Sequence, residues 1–196
     1  MRVRHMNPQA LERVIEACNS EGLFDFFRPM PDDLRGTTSG GLWDEEEQHL
    51  NEIKTRANVK KHGYMNWYDW SVDNWGTKWD ANDVSCKRIA DDELQICFCT
   101  AWAPPLAWYD FMCMLGYEID AFYVETGMYF CGAWRNGEYE DYSLEDVSQI
   151  PEAIKDAFPF VFAPDEEIEY LDEIPCSPEG AKNEHSGNPN KKAEGE

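Results

Sequence analysis

Carboxylates are the residues with the greatest chemical capacity in this chain. Residues 137–173 hold thirteen Asp or Glu and a single cation, Lys155. The first seven acids are Glu138, Glu140, Asp141, Glu145, Asp146, Glu152 and Asp156; Asp165, Glu166, Glu167, Glu169, Asp172 and Glu173 come after them. Carboxylates can pair for acid–base work, hold a cation, or present negative charge to a basic partner. Abundance alone does not single out an acid/base pair, because most such groups are solvated. Asp69, Asp73 and Asp80 lie among tryptophans, where burial would raise their pKa values and hydrogen-bonded capping is the expected role.

Other reactive types are spread without a working pattern. The histidines at 5, 49, 62 and 185 are scattered. Seven cysteines (18, 86, 97, 99, 113, 131 and 176) include no CxxC pair and none at zinc-site spacing, so reduced thiols are expected. The GTTSGG run at 36–41 is followed by Leu42-Trp43, where a phosphate-binding loop needs Lys and then Ser or Thr, so it reads as a surface loop. No nucleophile with its base and no metal-ligand set emerges. The expectation is a protein that is not an enzyme, with no cofactor and no metal.

A second candidate is aromatic. Seven of the eight tryptophans lie between Trp67 and Trp134. Trp67, Trp70, Asn74, Trp75, Lys78 and Trp79 could line a cleft for a small molecule or peptide, or the tryptophans could seal a core.

Bulk charge narrows the partners. Net charge is −22, divided as −2 over 1–63, −7 over 64–136, −12 over 137–173 and −1 over 174–196. Such a surface repels phosphates, which disfavours nucleic acid and anionic membranes and favours a basic protein surface. No apolar run approaches the ~20 residues of a membrane span, and MRVRHMNPQALERV has no apolar centre, so a cytoplasmic location is expected.

These groups must be positioned by ordinary elements. MRVRHM is a short strand or a disordered start. Asn7-Pro8 opens a helix to about Asn19, and LFDFF (23–27) is a strand or buried turn. Residues 32–42 read as a loop, and Asp44 caps a helix to about Lys61 carrying Lys54, Arg56, Lys60 and Lys61. Asn66 caps another, closed by Gly76. Strands are expected at 79–89, 93–102, 118–125 and 127–134, with a helix from Pro104 to Gly116. Asn136-Gly137 turns into an acidic edge strand to Tyr142, and a short helix begins after Pro151. The tail from Pro175 reads as disordered.

The words NWYDWSVDNWGTKWDA, TAWAPPLAW and ETGMYFCG, with PMPDDLRGTTSG before them, resemble the YubB-like ferredoxin-like domain family of phages and conjugative plasmids. The resemblance spans roughly 29–132 and carries no established activity. It implies an α+β fold: a ferredoxin-like antiparallel sheet with helices packed on one face, here with an acidic C-terminal extension. The expected organisation is an N-terminal helical portion (1–63) completing the domain, a Trp-rich core (64–142), the extension (143–174) and a tail (175–196). Charge and resemblance together give the functional expectation. It is an anti-defence inhibitor, anti-CRISPR or anti-restriction, in the cytoplasm of a bacterial host, holding a basic nucleic-acid-binding surface through a DNA-mimicking face. The alternative is a non-catalytic binding module using the tryptophan cleft.

Overall fold

The computed structural model describes residues 1–38 and 45–162, with the backbone alone for 45–47. Its strands are β1 (Arg2–Arg4), β2 (Asn82–Ala90), β3 (Glu93–Cys99), β4 (Glu118–Glu125), β5 (Phe130–Arg135) and β6 (Glu138–Ser143). Its helices are α1 (Pro8–Cys18), α2 (Leu23–Phe27), α3 (Asp32–Arg35), α4 (Glu45–His62), α5 (Trp67–Trp75), α6 (Leu106–Met114), α7 (Glu152–Ala157) and α8 (Pro159–Phe162). One antiparallel sheet runs in the order β2-β3-β1-β4-β5-β6.

MRVRHM supplies the central strand. Val3 is fully buried between Leu94 of β3 and Ile119 of β4 in register. Alternation then sorts the sheet: Leu94, Ile96, Ile119, Ala121 and Trp134 enter the main core with Leu11, Val14, Phe24, Trp75, Trp108 and Met112 from the helices. Helices α1 and α5 begin as the sequence indicates. Asn7 Oδ1 accepts from Gln9 N at 3.0 Å, and Asn66 Oδ1 accepts from Asp69 N at 3.0 Å.

Three expectations need correction. LFDFF is helix α2, because its N-terminal amides find a distant acceptor: Asp80 takes Phe24 N at 2.8 Å and Asp25 N at 2.9 Å. The expected loop at 32–42 contains α3. Helices also occupy both sheet faces. On the second face, Ile150, Ile154, Phe158 and Phe162, around α7 and α8, pack on Cys131, Phe122, Val124 and Tyr142. Residues 39–44, with the expected cap Asp44 and the end of the expected loop, and residues 163–196, with the end of the acidic extension and the tail from Pro175, lie outside the described residues. Among the described residues, no helix is long and apolar enough to cross a membrane.

Candidate functional site

The acidic edge is built by β6 together with the turn and short helix that succeed it. Asn136 and Gly137 take φ of 44° and 97°, the left-handed pair that a tight hairpin requires, and return the chain as the outer strand. Glu138, Glu140 and Tyr142 lie opposite Arg135, Ala133 and Cys131, on the face that carries α7. Asp141 lies opposite Gly132 on the other face. The carboxylates therefore wrap an edge instead of covering a plane.

Phenols hold two of them. Tyr142 Oη donates to Glu140 Oε2 and Tyr123 Oη donates to Asp141 Oδ1, each at 2.7 Å. The bond to Glu140 raises the Tyr142 pKa; burial, then the bond to Asp141, raises that of Tyr123. Asp146 caps the 3-10 turn at Val147–Gln149, and Glu152 meets Lys155 Nζ at 3.2 Å. Glu138, Glu140, Asp141, Glu145, Asp146, Glu152 and Asp156 are all exposed. Asp165, Glu166, Glu167, Glu169, Asp172 and Glu173 lie outside the described residues.

The edge is short of cations: residues 137–162 carry seven acids and one basic residue, Lys155. Elsewhere Asp25 pairs with Arg35, Asp33 with Lys61, Glu93 with Arg4, Asp120 with Arg135 and Glu12 with Arg88. On the acidic edge Glu152 is ion-paired, to Lys155; the other six acids make no ion pair among the described residues.

The tryptophan constellation does not assemble as a cleft. Trp70, Asn74 and Trp75 are buried, and Trp67 packs half-buried against the core. The Trp70 and Trp75 rings meet edge to face at 5.2 Å, Trp75 Nε1 donates to Arg28 O at 3.0 Å, and Asn74 Nδ2 donates to Trp70 O at 2.8 Å. Lys78 and Trp79 stand apart. Lys78 Nζ lies 4.2 Å from the Trp79 ring centre and 5.0 Å from that of Trp102, and both rings are exposed. Asp80, grouped with the tryptophans in sequence, is the acceptor that caps α2.

A groove of ≈1030 Å³ lies elsewhere, bounded by β3, β4 and the α7–α8 region. Trp102 at its rim is 61% exposed with φ of 64°, a backbone state that a bulky residue holds only under constraint from its surroundings. Nothing in the hydrophobic periodicity signals this groove, whose lining comes from segments far apart in the chain. Cys18, Cys86, Cys97, Cys113 and Cys131 are free thiols, and no group of His, Cys, Asp or Glu among the described residues is arranged to hold a metal.

No protein-family model, curated protein or solved structure matches the chain. The likeness to YubB-like domains therefore rests on the sequence words quoted for it.

Proposed function

We propose that this protein is a non-catalytic inhibitor that sets its acidic edge against the basic, nucleic-acid-binding surface of a partner protein. The observation that carries the reading is the missing counter-charge. Six exposed carboxylates on β6, the following turn and α7 lack cation partners among the described residues, where seven acids share one cation, Lys155. Unpaired exposed charge produces a long-range field that a basic groove can use for capture. Same-face acids on a strand recur about every 6.6 Å, so Glu138 and Glu140 form a short, regular charge row.

The finer parts of the proposal rest on resemblance. A ferredoxin-like core is supported by the order β2-β3-β1-β4, with helices between β1 and β2 and between β3 and β4. A phage or plasmid setting would make the partner a CRISPR or restriction complex, whose nucleic-acid channels are basic.

The test uses the purified chain as bait in a bacterial lysate at low and high salt. A nucleic-acid-binding complex should be retained, released by salt and displaced by DNA. Combined Glu138→Lys, Glu140→Lys and Asp141→Lys should weaken retention by roughly 100-fold. Retention that ignores both salt and charge reversal refutes the proposal.

A further inference from the structure

Two thiols meet where α1 packs on the edge strand β2. Cys18 ends the inward stripe of α1, four residues after Val14 and seven after Leu11, both fully buried. Cys86 lies on β2 opposite Ile96, a residue of the main core, so it points to the sheet face that carries α1. Both cysteines are half-buried at the margin of that core.

The course of the two elements brings these positions together. β1 and β2 each pair antiparallel with β3, so they run the same way, and α1 returns against them. Glu12 of α1 meets Arg88 of β2, Oε1 to Nη2, at 2.6 Å. From that pair, about 9 Å of helix leads forward to Cys18, and about 6.6 Å of strand leads back to Cys86. There the Cys18 thiol donates to the Cys86 sulfur. That bond lowers the Cys86 pKa from the ordinary thiol value against the opposing effect of burial, and the charge of Arg88 adds to the lowering. The same bond, with burial, raises Cys18. One sulfur is thus favoured as a thiolate while its neighbour keeps a proton. Burial raises the thiols of Cys113 and Cys131 instead.

We infer that Cys86 and Cys18 form a peroxide-reactive site that closes into a disulfide joining α1 to β2. The Cys86 thiolate attacks one oxygen of hydrogen peroxide; the O–O bond breaks, Cys86 becomes a sulfenic acid, and the other oxygen leaves as hydroxide. Cys18 then gives up its proton and attacks the sulfenic sulfur, so that an S–S bond replaces the S–O bond and a second hydroxide leaves. The two hydroxides take up the two thiol protons. Two thiols and one peroxide yield one disulfide and two waters, the sulfurs losing the two electrons that the peroxide gains. An S–S bond is about 2 Å long, so only sulfurs already in side-chain contact form it without moving their elements. The site lies at the sheet edge opposite β6, and the inference is independent of the acidic edge.

The test treats the reduced full chain with one equivalent of hydrogen peroxide, blocks the remaining thiols by alkylation and maps the peptides by mass. A Cys18–Cys86 linked peptide should be the main product, at least roughly tenfold more abundant than oxidised Cys113 or Cys131, and dithiothreitol should return both thiols. Cys18→Ser should leave a Cys86 sulfenic acid that dimedone captures, whereas Cys86→Ser should leave Cys18 reduced at the same dose. The bridged chain should unfold several degrees above the reduced one, since the link constrains the unfolded chain. The map of the parent decides the pairing without any variant. Four results overturn the inference: a chain left reduced; a different pairing; oxidation of Cys18 in the Cys86→Ser variant equal to that in the parent; or a bridged chain that unfolds below the reduced one, which would mean that α1 and β2 leave their places to join.

Discussion

Gly132→Ala lowers stability by about 3 kcal/mol and Tm by roughly 6–12 °C, and it loosens β6 before the rest of the sheet. Gly132 sits on β5 opposite Asp141, with no room for a side chain. A Cβ there would lie 2.3 Å from the Glu140 carbonyl oxygen and 2.6 Å from Cζ and Oη of Tyr123. The first neighbour is backbone, so β6 itself has to move. The second is the ring that crosses over Gly132 to place its hydroxyl on Asp141, so the same change disturbs the support of that carboxylate. Calorimetry and residue-resolved exchange check the result: faster exchange over 138–143 is expected, with weaker retention of a basic partner. Gly36→Ala is the control, because a Cβ there meets nothing within 4 Å, and its effect should stay within about 0.5 kcal/mol. Equal effects at both positions would contradict the packing argument.

The local signals in the sequence were reliable where a few neighbouring residues decide the outcome. Asn7 and Asn66 cap their helices, Gly76 closes α5 with φ of 87°, and Asn136-Gly137 makes the hairpin turn. The acidic residues from Glu138 to Asp156 are exposed, as expected of charges that outnumber their cations. The features that stayed hidden depend on distant contacts. Five residues of LFDFF fit either period, and the choice is made by Asp80, more than fifty positions later. The tryptophans share a stretch of chain but divide between core and surface, because α5 buries Trp70 and Trp75 while Trp79 lies beyond its C-terminal glycine. The central place of β1 depends on its partners in β3 and β4, which lie far along the chain. Strand pairing has to be known before that placement is visible.

Asp80→Ala should cost about 3 kcal/mol, since it deprives several backbone donors of one acceptor. Its carboxylate accepts from Phe24 N at 2.8 Å, Asp25 N at 2.9 Å and Ala81 N at 2.7 Å, which ties the start of α2 to the chain entering β2. Phe24, which this helix places, is fully buried against Trp108, Trp75 and Phe98. Losing the cap therefore unseats an aromatic cluster along with three hydrogen bonds. Asp80→Asn keeps the shape and one acceptor oxygen, and should cost less. The pH response separates charge from shape. Burial pushes the Asp80 carboxyl above its ordinary 3.8, outweighing the three N–H donors that favour the charged form. The folded state then holds the proton more tightly than the unfolded chain, so the stability owed to this group is fully present below that value and declines as pH rises through the window above it. Denaturant titrations of the parent and the Asn variant across that window should show the parent's advantage narrowing with rising pH. An advantage that widens instead would mean that the three donors outweigh burial, and that α2 is held by a carboxylate favoured in its charged state.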